Sequence, residues 1–168
     1  VEKRLRFKQA RLVGYIGKSY DFAVTQTNAI KNSMLQNPKA EHFFNPVLIR
    51  DKEEKDVTRV ASQKMWTTSD GSLVLPRGCQ QPIRGFNYDW KGQTYRFDLI
   101  IFDDLEDPEK IQSELYRQKT KEYVVADAAE AVPLPGVSMN WQLIYIDTLK
   151  HPDSCLQMLL DDPDWYSI

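Results

Sequence analysis

Asp103 and Asp104 stand directly behind an unbroken apolar run, Leu99-Ile100-Ile101-Phe102, and Glu106 and Asp107 follow within three residues. The run is short, branched and aromatic, which predicts a strand buried on both faces, as in a parallel sheet with helices above and below. Open α/β sheets place ligand chemistry outside the carboxyl ends of their strands, and that is where Asp103, Asp104 and Glu106 emerge. Carboxylates there suit a magnesium ion carrying phosphates, because Mg²⁺ takes a few carboxylates, retained waters and phosphate oxygens.

The pattern is that of a Walker B element. A plainer reading applies to Asp107-Pro108-Glu109: a helix N-cap, a first-turn proline and an acid matched to the helix dipole. Capping accounts for Asp107 but not for two adjacent aspartates at the end of the strand. A two-metal nuclease centre built on Asp103, Asp104, Glu106 and Asp107 is a weaker reading, since such centres gather carboxylates from several strands.

A phosphate-binding site of this type also needs a loop of backbone N–H groups with a lysine, G-x-x-x-x-G-K-[ST]. Gly14-Tyr15-Ile16-Gly17-Lys18-Ser19 ends in Gly-Lys-Ser, but two residues separate its glycines where the loop requires four. The segment therefore reads as a strand-to-helix turn with Ser19 as the cap.

Around these residues the chain alternates strands and helices. Ala10 to Ile16 reads as a buried strand, followed by a helix with Ala23, Thr27, Ile30 and Met34 on one face and Asn37-Pro38 at its end. Arg50 to Asp56 is a charge-dense loop. Ser69-Asp70-Gly71, between Lys64–Thr68 and Ser72–Leu75, and Lys91-Gly92 are hairpin signals, predicting antiparallel strands at the edge of the sheet. A helix is expected from about Pro108 to Tyr123 with Ile111 and Leu115 inward, and a short one over Ala126–Ala131 broken by Pro133-Leu134-Pro135-Gly136. Trp141–Ile146 reads as another buried strand, and a helix opened by Pro152 carries Cys155, Leu156, Leu159 and Leu160 inward. The expected architecture is a mainly parallel, three-layer α/β sheet.

Composition narrows the class. The chain has 168 residues, 42% hydrophobic and 27% charged, suiting one soluble domain with a sizeable core. A net charge of −2 leaves any DNA contact to a local basic patch. Cys79 and Cys155 lack metal-ligand spacing, and His42 and His151 are the only histidines, so neither zinc nor a disulfide framework is expected. No apolar stretch approaches the roughly 20 residues that cross a bilayer. An intracellular protein is expected, and its start at Val1 and stop at Ile168 read as a piece of something longer.

Taken in order, several segments resemble the ATPase domain of the large terminase subunits of tailed bacteriophages, the motors that package DNA into procapsids. Arg11 to Met34, including Lys18-Ser19-Tyr20-Asp21-Phe22-Ala23 with Gln26 and Ile30, resembles the strand and helix after that family's Walker A loop. Trp66–Gly71, Arg77-Gly78 and Ile83-Arg84-Gly85-Phe86 resemble its hairpin region and Arg-Gly segment. Asp98–Glu106 is similar to its Walker B element, and Ile146–Cys155 to its coupling motif, with Asp147 in place of the usual Gly. The resemblance runs from about Arg6 to Trp165.

It implies a P-loop NTPase-like sheet of the additional-strand type, incomplete in residues 1–168, with the Walker A segment upstream and a nuclease domain downstream; the fragment alone would be inactive. It implies ATP and Mg²⁺ as cofactors, with Asp103 holding the metal, Asp104 as the carboxylate that orients or deprotonates water, and Glu106 as a substitute base. Thr148 would sense the γ-phosphate; His151 would assist it or simply cap a helix. Arg84 would reach a neighbouring subunit's nucleotide as an arginine finger, or remain a surface arginine. The partners implied are double-stranded DNA, the portal protein, the small terminase subunit and further copies in a ring, in the host cytoplasm at the procapsid portal, with no membrane. Trp66, Tyr88, Trp90 and Tyr95 read as cross-strand packing rather than a DNA platform. A helicase-like P-loop ATPase and a non-catalytic module with a degenerate nucleotide site are the alternatives.

Overall fold

The computed structural model describes residues 1–39, 42, 65–133 and 140–167. The charge-dense segment 50–56, Lys64 and the Pro-Gly break at 134–136 lie outside the described residues.

Leu12–Gly17 (β1) is buried along its whole length, and Leu99–Asp103 (β6) until its last residue, as continuous apolar runs require. They pair in parallel, Val13 opposite Leu99 and Gly17 opposite Asp103. Leu73–Gly78 (β3) lies parallel on the other side of β1, with Trp66–Thr67 (β2) antiparallel to it, and Gln142–Ile146 (β7) lies parallel to β6. The five-stranded order is β2-β3-β1-β6-β7. Gly78, Gly17, Asp103 and Ile146 therefore stand level at one end of the sheet.

Because side chains alternate along a strand, each strand feeds both faces. Val13, Tyr15, Val74, Leu99 and Ile101 pack with Leu5, Ala23 and Met34 from Glu2–Arg6 (α1) and Tyr20–Gln36 (α2). Leu12, Ile16, Leu75, Ile100 and Phe102 pack on the other face with Tyr123, Val124, Ala128, Ala131, Cys155 and Leu159. Those residues belong to Glu114–Glu122 (α3) with its π-helical continuation Tyr123–Asp127, to Ala128–Ala131 (α4) and to Cys155–Asp161 (α5). The protein is thus a mainly parallel sheet covered by helices on both faces. Each fully buried Leu or Ile contributes about 1.5–3 kcal/mol to that arrangement.

Local chemistry sets the element ends. Ser19 accepts the Phe22 N–H at 3.2 Å and caps α2, so the Gly17-Lys18-Ser19 segment is a strand-to-helix turn. A Cβ on Gly78 would lie 2.7 Å from the Tyr20 nitrogen, so the bare glycine lets the start of α2 rest on the tip of β3. At the opposite end, Asp98 Oδ2 accepts the N–H groups of Arg11 (2.6 Å) and Leu12 (3.1 Å), fixing the start of β1 against β6.

Both hairpin signals form. Gly71 (φ +86°) turns β2 into β3, and Lys91-Gly92, both with positive φ, join Tyr88–Trp90 (β4) to Gln93–Tyr95 (β5) in a separate two-stranded ribbon. Yet β3 is an interior strand of the main sheet, since it pairs with β1 as well; of the two hairpin strands β2 alone lies at an edge. Tyr88 stands opposite Tyr95, and Trp66 is buried, so these aromatics do pack within the protein.

Three expectations are corrected. Asp107–Gln112 forms turns, and α3 begins at Glu114 behind a Ser113 cap, so Ile111 is buried but Leu115 is 61% exposed. Buried positions on α3 are instead Arg117 and Thr120, the former donating to the carbonyls of Ile111 (2.8 Å) and Gln112 (3.1 Å). Strand β7 is an edge strand whose residues are exposed or half-buried, not a buried one. Helix α5 is capped by Ser154 rather than opened by Pro152; Cys155 and Leu159 face inward, whereas Leu160 is exposed. Among the described residues no helix is long and apolar enough to cross a membrane.

Candidate functional site at the carboxyl end of the sheet

Strand β6 delivers Asp103 and Asp104 between the tips of β1 and β7. Tyr15, two residues before the end of β1, donates its hydroxyl proton to Asp103 Oδ2. That leaves Oδ1 without a protein partner among the described residues. Burial, and then the bond to the Asp103 carboxylate, push the Tyr15 hydroxyl far above the ordinary phenol range, so it remains a donor.

Asp104 leaves the strand in the left-handed region, at φ +48°, a conformation that costs a non-glycine residue on the order of 1 kcal/mol. Its N–H donates to the Ile146 carbonyl at 3.0 Å. Its carboxylate is held by two lysines: Lys150 Nζ is 2.6 Å from Oδ1 and Lys18 Nζ is 2.6 Å from Oδ2. The hydrogen bond from Lys150, then that from Lys18, keeps the Asp104 carboxyl below the usual carboxylate range.

Lys150 is also bonded to the Glu106 carbonyl (2.8 Å) and to Asp147 Oδ1. Burial works to lower its pKa, but its bonds to Asp104 and Asp147 prevail and the net shift is upward. The Asp147 side chain is fully buried; it accepts the N–H groups of Thr148 (2.7 Å) and Glu106 (3.3 Å) as well. The position at which the terminase-like pattern expects Gly is thus a carboxylate that stitches the β7 loop to the β6 loop.

Glu106 does not join Asp103 and Asp104 at the strand tips. It is fully buried, its Oε1 accepts the Cys155 N–H at 2.8 Å at the start of α5, and its Oε2 has no partner among the described residues. An acid at a helix N-terminus complements the positive end of the helix dipole, and Glu106 in this setting is an anchor for α5. Thr148 is exposed just beyond β7. His151 accepts the Asp153 N–H on Nδ1 at 2.9 Å, a capping contact ahead of α5.

Arg84 lies elsewhere. It is 63% exposed and pairs with Glu130 at 2.6 Å. The Glu130 carbonyl accepts from Arg96, and Ala131 from Phe97, both just before β6 begins. Arg84 therefore belongs to the amino end of the sheet, a strand length of roughly 16 Å from Asp104.

Sequence reasoning missed Lys150 and Asp147 as site residues, and read Lys18 in a failed phosphate-loop motif and in the strand-to-helix junction but not as a partner of Asp104. Their contacts with Asp104 span 46 and 86 positions, and no local pattern encodes them. Among the described residues no group of three or more His, Cys, Asp or Glu side chains is arranged to hold a metal by itself. The donor set fits a magnesium ion only in the sparse manner, with one free carboxylate oxygen on Asp103 and the rest from water and substrate.

Neither a protein-family model nor a curated protein sequence matches this chain. The functional reading therefore rests on the site.

Proposed function

We propose that this chain is part of the ATP-hydrolysing motor subunit that packages viral double-stranded DNA into procapsids, a P-loop NTPase-like domain of the large-terminase kind. The observation that carries this reading is the emergence of Asp103 and Asp104 at the carboxyl end of β6, between the tips of two parallel strands. Strand β7 adds support: its place at the end of the sheet among the described residues and the exposed Ile144 and Ile146 suit a further strand, which the family resemblance would supply with the phosphate loop.

In this reading Asp103 would hold Mg²⁺ through water, with Tyr15 fixing the orientation of the carboxylate. Magnesium, when bound, offsets charge on the phosphate oxygens. Asp104 orients or deprotonates the attacking water once one of its lysines has been drawn away. Thr148 reports the nucleotide state from the tip of β7. Glu106 serves the fold, and His151 serves as a cap. Arg84, remote from Asp104 in its own chain, acts only on the site of a neighbour in a homo-oligomeric ring, next to the portal protein and small subunit in the host cytoplasm.

A non-catalytic module is the second reading, favoured by one observation: both oxygens of Asp104 are neutralised by ammonium groups. ATP turnover by the protein extended upstream separates the two. Loss of turnover in Asp104→Asn and in Arg84→Ala, with recovery on mixing the two, is the expected result; a turnover-free parent would establish the non-catalytic module.

A further inference from the structure

Lys3, Arg4, Arg6, Lys8 and Arg11 crowd the first eleven residues, and the fold neutralises them unevenly. Arg6 is paired with Glu2 at 2.8 Å, and Arg11 donates to the Asp70 carbonyl and lies 3.9 Å from its carboxylate. Arg4 and Lys8 have no carboxylate partner among the described residues. Both line a cleft of about 480 Å³ at the amino end of the sheet, between the end of α1 and the start of β7. Its other walls are Gln9, Asn140, Trp141 and Gln142, and among the described residues no aspartate or glutamate borders it. That volume is in the range of about 300–1,000 Å³ that encloses a small ligand.

The fold fixes both walls. Leu5 and Ala10, both buried, hold the chain on either side of the turn. The Gln9 N–H closes on the Arg4 carbonyl at 2.8 Å, which brings Lys8, at φ +56°, and Gln9 back beside Arg4. Opposite them, the Gln142 N–H donates to the Asp98 carbonyl at 2.9 Å. Trp141 packs against the core and also lines the cleft, so its indole is braced from behind. Asp98, the acid at this end of the sheet, is committed to the N–H groups of Arg11 and Leu12.

These side chains ask for one kind of ligand. Cations without counter-ions call for an anion, a braced indole offers a flat apolar face, and carboxamides both donate and accept. A bare anion would leave the indole unused, and a neutral ring would leave the cations unused. We propose that this cleft binds a nucleotide, its base stacked on Trp141 and its phosphate held by Arg4 and Lys8, taken either free or as one unit of a single-stranded nucleic acid. The site is a strand length of roughly 16 Å from Asp103 and Asp104, and it stands apart from the ATP reading of those residues.

The test is calorimetric titration of the 168-residue chain with dAMP, deoxyribose 5-phosphate, a short single-stranded adenine oligonucleotide and the same strand in duplex. Binding of dAMP well above that of the sugar phosphate is expected. Trp141→Leu is expected to weaken it about 10-fold, the scale of one base stacked on an aromatic ring. Lys8→Asn is expected to weaken it about 3- to 5-fold, with a residue that tolerates the left-handed backbone. Circular dichroism checks each fold, and if Trp141→Leu does not fold, Lys8→Asn and Arg4→Gln carry the test. Tighter binding of the single strand than of dAMP would uphold the site and name the strand as its ligand; equal binding would uphold it and name the free nucleotide. Absent binding of dAMP, equal binding of the sugar phosphate, or binding unchanged by the cleft variants would overturn the proposal. Duplex bound as tightly as single strand would also overturn it, since paired bases cannot reach the indole. None of these outcomes bears on ATP turnover, so the two readings fail separately.

Discussion

Lys150 bridges Asp104 and Asp147, its ammonium 2.6 Å from the first and bonded directly to the second. One side chain thereby fastens the segment after β6 to the segment after β7. Its removal leaves the fully buried Asp147 carboxylate without a cation. Lys150→Met is therefore expected to cost about 3 kcal/mol in urea unfolding, the scale for breaking a buried pair. Lys18→Gln, at the outer side of the same aspartate, is expected to cost under about 1 kcal/mol. Equal losses in the two variants would refute this division of roles.

The ion pairs of Asp104 give its stability contribution a direction in pH. Its folded-state carboxyl lies below the usual range, because of Lys150 first and Lys18 second. The contribution is thus complete above the unfolded carboxyl value, about 4, and is lost as pH falls through the lower folded value. The stability gap between the parent and Asp104→Asn is expected to be level from pH 5 to 8 and to close on acidification. Thermal melts from pH 8 down to about pH 2 check it, the loss falling below the unfolded value of about 4; a gap that widens in acid would contradict the pairing.

Gly71 and Gly92 both have positive φ, at +86° and +78°, but differ in surroundings. A Cβ on Gly71 would sit 2.1 Å from the Trp90 ring, whereas nothing lies within 4 Å of one on Gly92. Gly92→Ala carries only the left-handed backbone cost, about 1 kcal/mol, and Gly92→Asn less. Gly71→Ala adds overpacking of about 1–3 kcal/mol and is expected to push the β4–β5 ribbon off the sheet. Chemical denaturation of the three variants, with tryptophan fluorescence, reads both effects.

Burial raises both thiols, Cys79 to about 11 and Cys155 to about 12. Thiolate is the reactive form, so at pH 7.5 both are expected to alkylate with iodoacetamide far more slowly than a free cysteine. Both are expected to react at the free-cysteine rate in denaturant. Rapid native labelling of Cys155, the fully buried one, would mean that α5 is not seated as described.

What was legible in the sequence was local. The run before Asp103, the Ser19 cap, the Gly71 and Lys91-Gly92 turns and the Ala23/Thr27/Met34 stripe each depend on neighbours a few positions apart. Leu115 was misplaced because the Asp107 turn, stable in itself, delays the helix until Ser113 and rotates its inward face onto Arg117 and Thr120. Ile144 and Ile146 looked like core residues because an apolar strand reads alike at the centre and at the edge of a sheet. The lysines of Asp104 were invisible for the opposite reason: an isolated Lys is ordinary until the sheet brings it to an aspartate. Replacing Leu115 with Glu is expected to change stability by less than about 0.5 kcal/mol, and Ile111→Ala to cost about 2–5 kcal/mol.

The π-helical stretch after α3 closes on the Tyr123 carbonyl with the Ala128 N–H, five residues on, while the Tyr123 hydroxyl donates to the Gln81 carbonyl at 2.8 Å. One residue more than an α-turn is wound into this stretch, and that surplus lets Tyr123 and Val124 face the sheet together with Ala128 and Ala131. Deleting one of the exposed positions 125 and 126 is expected to relax the stretch to an ordinary α-turn, its i→i+5 bond becoming i→i+4, with Ala128 and Ala131 kept on the sheet. The surplus residue is thus a local slack in the helix, taken up where Val125 and Ala126 face solvent and not where Tyr123 and Val124 meet the sheet.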